Sequence, residues 1–361
     1  MEASQGAHLL TSSPVIAVII PCFKVRAHVL DVIAKIGPYV THIFVVDDCC
    51  PESTGDLLSG HVDKRLVVIR HSSNKGVGGA VMSGYRAALD AGADVLVKVD
   101  GDGQMDPSLI LRFVEPIVAG AADYTKGNRF FFIEGLHSMP KLRLFGNAIL
   151  SFMTKLSSGY WDIMDPTNGY TAIHRDVASH LPLQKISHRY FFETDMLFRL
   201  NTLGAVVLDV PMASAYGAEV SNLKIRKIVG EFLFKHVRNF AKRVFYNYYL
   251  RDMSLASIEL PLGVAFFTFG TLFGSYHWWQ STSVGEWSSP GTVMLSALPV
   301  IIGIQFILAF LGHDISSVPR RPFHRRKHTS QALGVGHTVA AKYDLEIEPL
   351  KRSATASKAE P

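Results

Sequence analysis

The sequence predicts an α/β domain, a mostly parallel sheet flanked by helices, followed by an amphipathic helix and two transmembrane helices. Three observations carry that prediction. Apolar runs of strand length alternate with helical stretches between Val15 and Val99. From Ile225 onward apolar residues recur at helical spacing among many Lys and Arg. Two later runs, Leu260–Trp279 and Val293–Leu311, contain no Asp, Glu, Lys or Arg. Each of those runs is close to the ~20 residues a helix needs to cross a bilayer.

Val15-Ile16-Ala17-Val18-Ile19-Ile20 is a continuous apolar run and reads as a central strand that Pro21 ends. A helix follows at about His28–Ile36. Ile43–Val46 is a second strand, stopped by Asp47-Asp48, and Arg65–Arg70 a third. Asn74-Lys75-Gly76-Val77-Gly78-Gly79-Ala80 opens a helix that runs to about Asp90. Val95–Val99 is the next strand. This rhythm means a mostly parallel sheet, whose ligands sit at the carboxyl ends of the strands. Pro21, Asp47, Asp48, Asp100 and Asp102 share that edge. Further on, Thr125–Arg129 closes another strand and Asp165–Tyr170 is turn-rich. Tyr190–Asp195 leads into a helix at Met196–Leu203, and Ala205–Val210 is a strand stopped by Pro211.

The region 222–254 reads as a basic amphipathic interfacial helix. Its apolar positions are Ile225, Ile228, Val229, Phe232, Leu233, Val237, Phe240 and Val244. A membrane surface suits it; so does packing on the preceding domain with a solvated basic face. The apolar runs that follow tip the choice to the membrane. They form a hairpin over 255–314, whose connection carries Glu286 but no Lys or Arg. Basic residues flank the pair on its outer sides, so the positive-inside rule puts the domain at 14–221 and both termini in the cytoplasm. Trp278, Trp279 and Trp287 stand where an interfacial aromatic belt belongs. Residues 315–361 read as a basic, disordered tail lying on anionic lipid.

Composition narrows the chemistry. Of 361 residues 48% are apolar, and the formal charge of +5 is concentrated in local clusters rather than spread. The three cysteines, Cys22, Cys49 and Cys50, form no C-x-x-C spacing. That argues against a zinc site or disulfide scaffold and fits a reducing compartment. The N-terminus shows no signal-peptide pattern. Nothing suggests a nucleic-acid partner, and an oligomer stays open.

The chemical centre is Val95-Leu96-Val97-Lys98-Val99-Asp100-Gly101-Asp102-Gly103-Gln104. Two carboxylates this close repel unless a cation neutralises them, and a hard divalent ion does so well. The alternative is an acidic turn that caps the next element. Gly76-Val77-Gly78-Gly79 lacks the G-x-G-x-x-G spacing of a dinucleotide site.

Val18-Ile19-Ile20-Pro21, Val45-Val46-Asp47-Asp48, Asn74–Ala80 and Asp100-Gly101-Asp102-Gly103-Gln104 together resemble the family 2 glycosyltransferases. The likeness spans about residues 14–230. It is greatest to the membrane-anchored polyprenyl-phosphate branch, the dolichyl-phosphate mannose synthases and undecaprenyl-phosphate glycosyltransferases. The resemblance implies a GT-A-like nucleotide-sugar-binding fold and inverting transfer of one sugar from a nucleoside-diphosphate sugar to a polyprenyl phosphate. It implies that Pro21, Phe23, Asp47, Asp48, Lys75 and Gly76 border the nucleotide. Asp100 and Asp102 would hold Mg²⁺ or Mn²⁺ on the diphosphate, with Gln104 beside them. Asp195 would stand nearest the anomeric carbon, then Asp165, with Glu193 on the acceptor side. A lipid phosphate is already an anion, so the acceptor needs cations more than a base. Arg129, Ser221, Lys224 and Arg226 are the candidates. Alternatives are a glycan or lipid hydroxyl acceptor, and a non-catalytic membrane-anchored nucleotide-sugar binding protein. The chain departs from the family at Cys22-Phe23-Lys24 and at Cys49-Cys50-Pro51, where a small Gly-Ser pair is usual. A Gln-x-x-Arg-Trp signature of processive synthases is absent, which favours a single transfer.

Overall fold

The computed structural model describes residues 13–131, 141–212 and 225–326. Its centre is strand β1 (Ile16–Cys22), where Pro21 is the last residue but one rather than a stop. Chain order continues α1 (Val29–Ala34), β2 (His42–Asp47), α2 (Thr54–Leu58), β3 (Leu66–Arg70), α3 (Gly76–Asp90), β4 (Val95–Lys98) and α4 (Ile110–Val118). Then come β5 (Tyr124–Asn128), α5 (Lys141–Ser158), β6 (Thr171–His174), α6 (Arg175–His180), α7 (Phe192–Leu203) and β7 (Val207–Pro211). The chain ends in α8 (Ile225–Phe245), a π-helical turn at Tyr246–Arg251, α9 (Ala256–Val284) and α10 (Pro290–Ser316).

The seven strands lie in the order β3-β2-β1-β4-β6-β5-β7. β1 is parallel to β2 and β4, and β2 to β3. β6 is antiparallel to both β4 and β5, so β5 runs with β4. The direction of β6 has a consequence for the site. The C-terminal ends of β1, β2, β4 and β5 and the loop entering β6 all reach one edge. Side chains alternate across the sheet as strand geometry demands. Ala17 and Ile19 face a core with α3 and α7, while Ile16, Val18 and Ile20 face one with α1 and α4. Both faces are covered, hence the unbroken apolar runs.

Helices α5 and α6 and strand β6 fall where the sequence pattern shows no clear period. α7 starts at Phe192, four residues before the expected Met196, so Glu193 and Asp195 are helical.

α8 turns its amphipathicity outward. Among its described side chains those it buries are His236, Asn239, Arg243 and Val244, whereas Leu233, Phe234, Val237 and Phe245 are exposed. His236 Nδ1 lies 2.8 Å from Ser157 Oγ of α5, and Asn239 donates to Asp195 of α7. The helix packs on the domain and also offers an apolar face. α5 does the same: Phe145, Ile149 and Phe152 form an exposed stripe at helical spacing.

α9 and α10 are long and apolar enough to cross a membrane. They form a hairpin outside the sheet cores and pack through small residues. A Cβ on Gly303 would lie 2.5 Å from Phe267 N, and one on Gly270 2.7 Å from Ser296 O. Such close backbone approach is how helices associate where lipid replaces water. At the end of α10 the Asp314 carboxylate accepts from Arg243 Nη1 at 2.6 Å, Tyr248 Oη at 2.7 Å and Trp161 Nε1 at 2.8 Å.

The expectation of a disordered stretch from residue 315 is corrected as far as His324. Past α10 the chain returns to the sheet edge opposite the strand C-termini. Phe323 N donates to Asp123 Oδ2 at 2.7 Å, and His324 Nδ1 is 2.6 Å from Asp123 Oδ1. Val318 and Phe323 pack on the domain core. The His324 ring stacks on His174 at 4.3 Å. Burial, then His324, pulls the His174 pKa down to about 4, with Asp176, Asp123 and Asp94 opposing. Burial does the same to His236. Between pH 4 and the ordinary 6.5 the unfolded chain therefore binds more protons at His174, and stability falls as pH drops through that window. His174 Nδ1 also accepts from Asp176 N, capping α6. Asn at this position keeps a cap acceptor and cannot titrate. His174→Asn is expected to flatten the loss of thermal midpoint from pH 6.5 toward 4, read by unfolding scans in detergent.

Candidate active site

The shared edge of the sheet carries most of the residues singled out above. β4 ends at Lys98, Val99 is buried, and the chain turns through Asp100-Gly101-Asp102-Gly103. Gly103 has φ +79°, a conformation costly for any other residue. Gln104 N donates to Asp102 Oδ1 at 3.0 Å. Asp100 keeps 27% of its side chain exposed and places Oδ1 2.7 Å from Lys98 Nζ. The loop entering β6 crosses directly above: a Cβ on Gly169 would lie 2.5 Å from Lys98 Nζ and 2.8 Å from Asp100 Oδ2.

Two buried lysines support this loop. Lys98, Thr171 and Lys126 are in register across β4, β6 and β5. Lys98 Nζ donates to Gly169 O at 3.0 Å, and Lys126 Nζ donates to Asn168 O. Burial pulls Lys126 down to about 8. Burial also disfavours the Lys98 ammonium, but Asp100 and Glu193 outweigh it and hold its pKa above the usual value. Neither lysine was singled out from the sequence. The signal available was a Lys inside a Val-rich run, a residue rarely buried without a partner.

Glu193 lies 4.0 Å from Lys98 Nζ with 16% of its side chain exposed. Burial raises its pKa, against Lys98 and Lys126. Asp195 is elsewhere. Residues two apart on a helix face nearly opposite directions, and Asp195 accepts from Ser187 N at 2.9 Å, Asn239 Nδ2 at 3.1 Å and Arg199 Nε at 3.2 Å. Asp195, expected nearest the anomeric carbon, clamps α7 to α8, and Glu193 is the carboxyl beside Lys98 and the acidic turn.

Asp165 is buried and takes both arms of Arg129, Nε to Oδ2 at 2.7 Å and Nη2 to Oδ1 at 3.1 Å. This pair stands just past the end of β5, with Arg129 partly exposed. Ser221 and Lys224 lie outside the described residues, and Arg226 is described only as part of the α8 backbone.

The other end of the edge is built by Asp47 and Asp48. Asp47 accepts from Cys50 N at 2.8 Å and Gly55 N at 2.7 Å. Asp48 accepts from Lys75 N at 2.8 Å and Gly76 N at 2.7 Å, with His71 Nδ1 at 2.7 Å. Both carboxylates are buried and tie loops together. Gly76, at φ +82°, and Gly78 let α3 start against the 187–189 segment; a Cβ on Gly78 would meet Ser187 O at 2.3 Å. Gly78 N donates to His188 O at 2.8 Å. Lys75 and Phe23 are exposed at this rim beside Pro21. Cys49, where the family usually has a glycine, adopts φ +55°. The preference for glycine there is thus conformational.

Among the described residues no three His, Cys, Asp or Glu side chains form a metal cage. The donors on hand are two hard carboxylates beside a part-open edge. That set fits Mg²⁺ or Mn²⁺, which take the rest of their shell from water and phosphate oxygens.

A mostly parallel sheet with an acidic turn at its carboxyl edge places these residues where α/β folds bind their ligands. The comparisons make this specific. The profile of glycosyl transferase family 2 matches residues 17–181. Polyprenol monophosphomannose synthase of Mycolicibacterium smegmatis is 31% identical over 202 residues, 54% of this chain and 75% of that protein. Undecaprenyl-phosphate mannosyltransferase of Micrococcus luteus is 31% identical over 173 residues, 47% of this chain and 70% of that one. The UDP-N-acetylglucosamine–dolichyl-phosphate N-acetylglucosaminyltransferase of Methanococcus voltae is 27% identical over 216 residues, covering 56% and 86%. Among solved structures, glucosyl-3-phosphoglycerate synthase from Mycobacterium tuberculosis, in complex with Mn²⁺, UDP-glucose and phosphoglyceric acid, matches with TM-score 0.45 at 17% identity, over 64% of this chain and 79% of that one. The chain belongs to the family 2 glycosyltransferases and has their GT-A-like fold.

Proposed function

We propose that this enzyme transfers one sugar, with inversion, from a nucleoside-diphosphate sugar to a polyprenyl phosphate at the cytoplasmic membrane face. The observation that carries the reading is the continuity of the catalytic fold with apolar surface. α5 and α8 turn apolar stripes outward. α8 leads into two helices long enough to span a bilayer. Three of the relatives named above carry polyprenol, undecaprenyl-phosphate or dolichyl-phosphate in their names.

Asp100 and Asp102 would hold Mg²⁺ or Mn²⁺, which when bound neutralises the charge of the leaving diphosphate. The protein's own residues do the rest. Asp47 and Asp48 fix the two loops that frame the nucleotide, and Lys75 is exposed at the start of α3. Asp165 holds the Arg129 guanidinium in one orientation for an acceptor phosphate. A phosphate monoester anion attacks without losing a proton, so no base is required of the site.

A second reading, a hydroxyl acceptor, is favoured by one observation. Glu193 is a carboxyl whose pKa burial raises, which suits a general base. A donor panel with short polyprenyl phosphates and the matching free polyprenols separates the two. The first reading expects transfer to the phosphate alone, retained in Glu193→Gln at saturating cation. The second expects transfer to the alcohol and a loss in that variant on the order of 10²–10⁴.

A further inference from the structure

The acidic turn and Glu193 are joined by one side chain, Lys98. Its ammonium is 2.7 Å from Asp100 Oδ1, 3.0 Å from Gly169 O and 4.0 Å from Glu193 Oε1. Lys98 is buried, so its charge needs a carboxylate partner at all times. The negative groups acting on it are Asp100, Glu193 and, more weakly, Asp102. Lys126 also acts on Glu193, but its ammonium donates to Asn168 O.

A divalent cation on Asp100 and the Lys98 ammonium would claim the same carboxylate. At that range two cations repel strongly in a partly buried site. Glu193 is the nearest alternative partner. At 4.0 Å the pair is too long for a hydrogen bond, and a shift of about 1 Å makes one.

We propose that Lys98 is a positioning residue that trades Asp100 for Glu193 when a divalent cation binds. Loading of the donor side then draws Glu193 toward Lys98 and fixes the acceptor side of the site. The inference rests on the reading of Asp100 and Asp102 as cation ligands.

The test is Mn²⁺ affinity, read by electron paramagnetic resonance on the full-length protein in detergent, without turnover. Lys98→Gln removes the competing charge and keeps a donor for Gly169 O; it should tighten Mn²⁺ about tenfold. Glu193→Gln removes the alternative partner and should weaken Mn²⁺ about tenfold, within the range ordinary for coupled sites. In the double variant the effect of Glu193→Gln should vanish to within twofold, because no ammonium remains to be traded. Simple field effects add instead, so an undiminished Glu193→Gln effect in the Lys98→Gln background overturns the trade. Should Lys98→Gln fail to fold, the cycle is run with Lys98→Met, an uncharged side chain of similar length, and the same outcomes decide: a Glu193→Gln effect that vanishes in that background supports the trade, and an undiminished one overturns it. Wild-type protein that binds no Mn²⁺ overturns the cation reading and this inference together. Mn²⁺ binding without coupling overturns the inference alone.

Discussion

Replacing Asp102 by Ala is expected to lower sugar transfer on the order of 10³-fold while the protein stays folded. The size follows from the job assigned to the carboxylate. A metal that neutralises a leaving diphosphate contributes several kcal/mol at the transition state, and each 1.4 kcal/mol is about tenfold in rate. The choice of Asp102 over Asp100 follows from their partners. Asp100 is the counter-charge of the buried Lys98. Its removal would strand a buried ammonium and cost stability as well as activity. Asp102 sits at the turn with Oδ1 on the Gln104 amide, and the buried Lys98 keeps its contact with Asp100 when Asp102 is replaced. The measurements are initial transfer rates with Mn²⁺ or Mg²⁺ titrated, and a thermal midpoint for each variant. Asp102→Ala should keep a midpoint close to wild type, and Asp100→Ala should not. Wild-type rates in Asp102→Ala, or undiminished transfer with EDTA present, would count heavily against the proposed chemistry.

What sequence makes legible here is what periodicity and chain order encode. The strands at Ile16–Cys22, His42–Asp47 and Val95–Lys98 were readable because both faces of the sheet are covered, which leaves unbroken apolar runs. The acidic turn followed from its place at the end of such a run. What escaped was set by contacts between distant residues. Lys98 and Lys126 are brought together only by the register through Thr171, and no spacing announces that. Glu193 and Asp195 look equivalent in a linear motif. Once α7 starts at Phe192 they point to different neighbours, and only one reaches the acidic turn. Asp47 and Asp48, which the resemblance sets at the nucleotide, also tie loops together by accepting from amides up to 28 positions away in the chain, a link no local spacing announces. α8 was legible in its outward face only: its apolar pattern reads as interfacial, and no spacing announces that the side turned inward buries His236, Asn239 and Arg243.

That inward side makes Arg243 the most exacting residue outside the site. It is buried, donates to Asp314 at 2.6 and 2.9 Å and to Leu156 O at 2.9 Å, and so joins α8, α10 and α5. Gly159 leaves room for it: a Cβ there would lie 2.7 Å from Arg243 Nη1. Taking away one partner of such a pair leaves the other charge buried alone, which typically costs about 3–5 kcal/mol. Arg243→Met should therefore lower the thermal midpoint sharply. Arg243→Met with Asp314→Leu should recover much of the loss, since an apolar pair of similar volume is often no less stable than a buried ion pair. Recovery should be incomplete, because Tyr248 and Trp161 also donate to Asp314 and would lose their acceptor. The rescued variant then isolates what the link does for function. It ties the end of the second apolar helix to the catalytic fold, and with the Phe323–His324 contact to Asp123 it grips the domain from two sides. If that grip sets the site at the height of a lipid headgroup, the double variant should use a water-soluble short-chain acceptor at the wild-type rate. It should also turn over an acceptor embedded in vesicles more slowly. Equal loss on both acceptors would mean that the link stabilises the protein without orienting it.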